Sequence, residues 1–282
     1  MIYFTDNDID RLIEDDAPAG DMTSSLLNIK GEKAGIAMFA RHDMVVCCTE
    51  EAERMYQKNG IKVTFKVSSG TALEENDKII EAEGDVESIH LVWRTGLAMI
   101  EFASGIATRT NQLVKAAHAI NENIQVSGTR KHPPYLKKIA LKALIAGGGI
   151  PHRTGLSDTI LLFREHLLFT GGYENLSAVI ASIKSRQKER KIVVEAHNIA
   201  EAKMIAAAGA HVIQMDKISP ADFTVCKKEC EALNPEICVI AAGGVNGSNA
   251  TEYAKAGAEV LVTSWMYFGP PADIKVVIDK LK

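Results

Sequence analysis

After residue 120 the chain repeats one pattern: a short apolar run, a polar or glycine-containing turn, then an amphipathic helical stretch. The apolar runs are 124–128, 158–162, 191–195, 211–215, 237–242 and 259–263. Helical stretches such as NIAEAKMIAAAG and NGSNATEYAKAG lie between the later runs, and Gly209 and Gly257 stand where C-terminal caps belong. Strands that alternate with helices of this length require a parallel sheet, because parallel neighbours need a crossover rather than a hairpin. Six such units either close into an α/β barrel smaller than the eight-fold one or form an open doubly wound sheet. Both folds share the pattern.

The first part reads differently. FTDNDIDRLIEDDAP is a charged helical start, followed by the turn-forming GDMTSS, where Asp21 or Thr23 is placed to cap what comes next. Residues 33–48 and 61–83 carry short β-rich runs around a helical stretch, TEEAERMYQKNG, which predicts a small open sheet with helices on one face. From Glu87 the apolar spacing turns helical through residue 120, and a long helical hairpin is expected there. The division this suggests is a first domain over 1–110, a barrel over 111–267 and a tail over 268–282.

Composition narrows the function. The chain has 282 residues, 46% of them hydrophobic, enough for a well-buried core, and its net charge of −4 offers no general attraction to nucleic acid or anionic lipid. A small anionic ligand held by a local cationic cluster is the better expectation. The five cysteines lack metal-ligand spacing and fall mostly in apolar runs, which predicts reduced thiols and a cytoplasmic protein. No uncharged run approaches the length needed to span a bilayer, so no membrane association is expected.

Parallel α/β folds bind ligands at the carboxyl ends of their strands, so the residues just after each run form one list. They are Thr129-Arg130-Lys131, then Glu195 leading to His197, Asp216-Lys217, Gly243-Gly244 and Thr263-Ser264, with His152 and Arg153 on the intervening GGGIPHRTG loop. The list holds a cationic cluster, two carboxylates and a glycine turn. Glu195 and Asp216 close adjacent strands, a placement suited to hydroxyls or to metal-bound water. Gly243-Gly244 suits backbone contacts to a phosphate. Residues 147–149 lack the Lys-Ser/Thr ending of a nucleotide P-loop, and Cys226 and Cys230, four apart, read as one buried helix stripe. Together the rim suits transfer at the anomeric carbon of a phosphorylated sugar, where departing pyrophosphate needs cations and Mg²⁺ and the ribose needs carboxylates.

The strings EDDAPAGDMTS (14–24), WRTGLAMIEFASGIATRT (93–110), SGTRKHPPYLKKIALKALIAGGGIPHRTGLSD (127–158), VVEAHN (193–198), QMDK (214–217) and AAGGV (241–245) resemble, in order, the blocks of the quinolinate phosphoribosyltransferase family. The resemblance spans nearly the whole chain. It implies an N-terminal open α/β sandwich domain, rejoined by the C-terminal tail, and a C-terminal incomplete α/β (TIM-like) barrel. It also implies a homodimer in which Arg94 reaches the neighbouring active site. Arg130, Lys131, His152 and Arg153 would form the cationic pocket, Glu195 and Asp216 would face the ribose and, through water, Mg²⁺, and Gly243, Gly244 and Ser264 would hold the 5-phosphate. Lys131, Glu195 and Asp216 are the expected catalytic residues.

Several positions depart from the family pattern. A pocket lysine becomes Phe163, followed by Arg164-Glu165-His166; a serine becomes Ala242; an asparagine becomes Lys217; and TRK runs into His132-Pro133. Losing one charge-assisted hydrogen bond of about 1.5–3 kcal/mol costs one to two decades in affinity for a dicarboxylate. The ribose-phosphate machinery is kept while the base side changes, which resembles the ModD paralogues associated with molybdenum transport. The expectation is a pyrophosphorylase acting on phosphoribosyl pyrophosphate and a planar nitrogen base. The alternatives are an unaltered quinolinate enzyme of NAD biosynthesis, with Arg164 or Lys217 standing in for the lysine, and a non-catalytic sensor of a sugar phosphate or oxyanion. A Schiff-base lyase using Lys217 is a further chemical possibility.

Overall fold

A computed structural model of the protein describes residues 2–281. The chain divides into two compact units. The first comprises the described residues up to Asn111, His132–Gly148 and those from Met266 onward; the second comprises Gln112–Lys131 and Gly149–Trp265. The segment His132–Gly148, placed in the barrel by the sequence-based division, therefore groups with the first unit.

In the first unit, helix Asp6–Asp16 starts at Thr5, whose hydroxyl accepts from the Asp8 amide while the Asp8 carboxylate accepts from the Thr5 amide. Asp21 caps the short helix Met22–Leu27 by accepting from the Thr23 amide. The strands are β1 (Lys33–Ala40), β2 (Met44–Val45), β3 (Lys62–Lys66), β4 (Ala72–Leu73) and β5 (Lys78–Asp85), with helix Thr49–Lys58 between β2 and β3. β1 lies between β5 and the C-terminal strand Ile274–Lys280, antiparallel to both, so the tail completes this sheet. Strict alternation of burial along β1 puts Ile36 and Met38 into the core.

The expected hairpin after Glu87 is instead one helix, Val86–His118. Its glycines are packing positions, not turns: a Cβ on Gly105 would come within 2.7 Å of the Pro270 carbonyl oxygen, and one on Gly96 would touch Tyr56. Gly147 meets the same helix so closely that a Cβ would overlap the Ala107 carbonyl and the Thr110 side chain.

The second unit is a curled parallel half-barrel. Its strands are β6 (Gln125–Gly128), β7 (Ile150–Pro151), β8 (Ile160–Leu162), β9 (Ile192–Ala196), β10 (Val212–Asp216), β11 (Cys238–Ala242) and β12 (Val260–Thr263), ordered β7-β6-β12-β11-β10-β9-β8. Six match the apolar runs; β7, two residues long, carries too little pattern to be read. Leu161, Val193, Val212, Ile240, Ala242 and Val262 fill the interior, with Phe163 packed against them. All five cysteines are free thiols, and Cys226 and Cys230 are fully buried with their sulfurs 3.9 Å apart, as one helix stripe. No helix among the described residues is long and apolar enough to cross a membrane.

Candidate active site

The carboxyl ends of the parallel strands surround a cavity of about 620 Å³, a size suited to a nucleotide-like ligand. Its wall takes Arg130 and Lys131 from the turn after β6 and His152 and Arg153 from the loop after β7. Phe163 follows β8, Glu195 and Asp216 come from the ends of β9 and β10, and Gly243, Gly244 and Ser264 follow β11 and β12. One strand-end rule thus gathers residues far apart in sequence. Arg94 is the exception: it lies in the first unit, its guanidinium 5.7 Å from the centre of the Trp93 ring, and is not part of this wall.

On the cationic side Arg130 and Lys131 are exposed, whereas Arg153 is buried. Arg153 is only 9% exposed, and burial together with the charge of Arg130 lowers its pKa. Its guanidinium sits 5.8 Å from the Phe163 ring centre, within cation–π range. Phe163 in turn stacks on His166 at 5.7 Å, and the Phe163 amide donates to His166 Nδ1 at 3.0 Å. Burial also lowers the His152 pKa, with the Arg153 charge acting in the same direction, which favours the neutral imidazole. The loop is tied locally: the Asp158 carboxylate accepts from the Thr154 amide and hydroxyl, and the His152 amide donates to the Gly128 carbonyl.

Opposite stand the carboxylates. Burial raises the pKa of Glu195, and the nearby charge of Asp216 pushes it the same way. His197 lies between them, with Nε2 3.5 Å from Glu195 and Nδ1 3.8 Å from Asp216. Gln214, buried and in register with Glu195 on the neighbouring strand, donates from Nε2 to Glu195 Oε2 at 2.9 Å. Tyr173 steadies the strand end by donating to the Glu195 carbonyl at 3.2 Å.

The third side is backbone. Gly243 and Gly244 have φ of 72° and 84°, and a Cβ on Gly243 would overlap Asp216 and the Lys217 backbone. The turn is braced by Asn246 and Asn249, whose amides both donate to the Gly244 carbonyl, and by Thr263, whose hydroxyl donates to the Val245 carbonyl at 2.6 Å. Lys217 lines the cavity in a left-handed conformation at φ 58°. Arg164 begins a short helix and is not in the wall.

Sequence reasoning singled out neither Gln214 nor the bracing pair Asn246 and Asn249. Gln214 did leave a signal: it is the one uncharged polar residue in the otherwise apolar run VIQM.

Among the described residues no group of three or more His, Cys, Asp and Glu side chains is arranged to hold a metal. Two carboxylates remain, side by side and mutually repelling. That set fits Mg²⁺ better than zinc, because Mg²⁺ is commonly held by one or two carboxylates and completes its shell with water and substrate phosphates.

Comparison with known proteins agrees with this geometry. The family model described as "Quinolinate phosphoribosyl transferase, C-terminal domain" matches residues 106–277, and the corresponding N-terminal domain matches 21–104. The chain is 38% identical over 259 residues to a Rhodobacter capsulatus protein named pyrophosphorylase ModD, covering 91% of this chain and 98% of that protein. It is 30% identical over 277 residues to a carboxylating nicotinate-nucleotide pyrophosphorylase by name from Methanothermobacter thermautotrophicus, covering 97% and 99%. Among solved structures, the nicotinate-nucleotide pyrophosphorylase of Francisella tularensis superposes with a TM-score of 0.86 at 25% identity, covering 99% of each chain. NadC from Streptococcus pyogenes shares the fold, with a TM-score of 0.88 at 21% identity over 100% of both chains.

Proposed function

Because the chain belongs to the quinolinate phosphoribosyltransferase family, we propose that this phosphoribosyltransferase joins ribose 5-phosphate from phosphoribosyl pyrophosphate to a planar nitrogen base with fewer carboxylates than quinolinate. The observation that carries this reading is Phe163. It stands in the cavity wall where the resemblance places a pocket lysine, and its ring occupies Arg153, one of the cations left for a carboxylate.

The chemistry follows from the three sides of the cavity. The bond between ribose C1 and the pyrophosphate oxygen breaks with its electron pair leaving on pyrophosphate. Arg130, Lys131 and Arg153 receive that negative charge, and the buried Arg153, held in place with little water around it, acts most strongly of the three. Glu195 and Asp216 face the positive charge that develops on the ribose. The base nitrogen then donates its lone pair to C1. Gly243, Gly244 and Ser264 hold the 5-phosphate, since a turn without side chains lets backbone amides approach it. Mg²⁺ held by Glu195 and Asp216, through water, would neutralise charge on the leaving group. Arg94, as the resemblance implies, serves the cavity of a second copy in a homodimer.

A second reading keeps quinolinate as the base and uses Lys217 in place of the missing lysine; its presence in the wall favours Lys217 over Arg164 for that part.

Pyrophosphate release from phosphoribosyl pyrophosphate and Mg²⁺, measured against a panel of planar bases with Glu195→Ala as control, tests the proposal. Release with a mono- or non-carboxylated base, abolished in the control, supports it. Release with quinolinate alone selects the second reading, and binding without release selects a sensor.

A further inference from the structure

Gln214 lies on the inward face of β10, between Val212 below and Asp216 above, and is only 7% exposed. Its register partner Ile240 belongs, with Ala242 and Val262, to the apolar filling of the half-barrel. An amide in such a place is costly unless its hydrogen bonds are made. One of them is: Nε2 donates to Glu195 Oε2. An ionised carboxylate only accepts, so this contact decides which end of the amide is nitrogen. The carbonyl Oε1 is left as an acceptor with no protein donor among the described residues, on a side chain that lines the cavity.

We propose that Gln214 determines base specificity: its carbonyl accepts from an N–H donor on the ligand, so the base is a planar nitrogen heterocycle bearing an amide, amino or ring N–H group at that position. The electrostatics agree. A carboxylate placed against the Gln214 carbonyl would meet its lone pairs, with Glu195 hydrogen-bonded to the same side chain and Asp216 two residues along the strand. The apolar surfaces of Leu161, Phe163 and Val262 suit the faces of an uncharged ring. This inference rests on the transferase reading for its reaction, but not for its binding preference.

The test compares pyridine-3-carboxamide with pyridine-3-carboxylate, one ring with and without an amide donor. Two quantities are measured: kcat/KM for pyrophosphate release, and calorimetric binding of each base to protein presaturated with pyrophosphate and Mg²⁺. The wild type is expected to favour the carboxamide by at least about tenfold, the weight of one hydrogen bond. Gln214→Leu, with Gln214→Met as a second variant of unbranched shape, should bring the two bases within about threefold of each other. A role limited to steadying Glu195 would slow both bases equally and leave their ratio unchanged. Preference for the carboxylate, an unchanged ratio in both variants, or a uniform rise in KM for phosphoribosyl pyrophosphate with every base would overturn the assignment. The last of these would give the carbonyl to a ribose hydroxyl. Carboxamide-selective binding that both variants abolish, without pyrophosphate release from any base, would uphold Gln214 and sink the transferase reading instead.

Discussion

A Cβ built on Gly243 would overlap Oδ1 of Asp216. The glycine turn and the carboxylate therefore occupy one another's space, and each depends on the other staying as it is. Gly243 also has φ of 72°, which L side chains rarely adopt. Gly243→Ala is accordingly expected to lose nearly all transferase activity and to destabilise the fold by about 2 kcal/mol, a fall of roughly 4–8 °C in Tm. Steady-state turnover and thermal denaturation check both parts; near-normal turnover would show that Asp216 is free to move.

Phe163→Lys restores a cation at the position where the ring now stacks between Arg153 and His166. Competition by quinolinate is expected to strengthen by one to two decades, corresponding to about 1.5–3 kcal/mol for a charge-assisted hydrogen bond. Repulsion from Arg153 sets the lower end of that range. An unchanged inhibition constant would mean that Phe163 does not border the base.

Lys217 holds φ 58° without being glycine. A left-handed residue costs about 1–2 kcal/mol, whereas glycine returns about 0.5–1 kcal/mol of that as chain entropy. Lys217→Gly is expected to stabilise the protein by about 0.5–1 kcal/mol in denaturant titration while weakening competition by quinolinate severalfold. A stabilised variant with unchanged kinetics would remove Lys217 from ligand binding.

In the first unit, burial alone would raise the pKa of Glu50, but hydrogen bonds from Lys142 and Ser69 outweigh it and bring the value from the ordinary 4.5 down to about 2. A carboxyl whose folded pKa is depressed contributes stability above its unfolded value and loses it as pH falls toward the folded one. Unfolding free energy should therefore drop between about pH 4.5 and pH 2, and Glu50→Gln should flatten that part of the curve. Equilibrium denaturation across this range measures the slope; identical slopes in both proteins would assign the acid sensitivity to other carboxylates.

Most of the candidate site was legible in the sequence, for a local reason. In a parallel α/β unit a ligand-facing residue follows its strand directly, so Arg130, Lys131, Glu195, Asp216, Gly243 and Ser264 could each be marked from a few neighbouring letters. The helical period after Glu87 was legible, but not that it forms a single helix, Val86–His118, running without a turn through Gly96 and Gly105. They are glycines for what packs against them, Tyr56 and Pro270, and neither partner is near in sequence.

By itself the sequence determined the parallel alternation, the β-rich start with its small open sheet and the set of charged groups at the strand ends. All of these are written in periodicity and in residues adjacent along the chain. Only the tertiary structure decided that Gln214 faces inward against Glu195, that Arg153 lies over Phe163, that Arg94 stands outside the wall, and that His132–Gly148 groups with the first unit. Those relationships are set by strand order, register and close packing, which bring distant residues to within a few ångströms. No local pattern of letters carries that information.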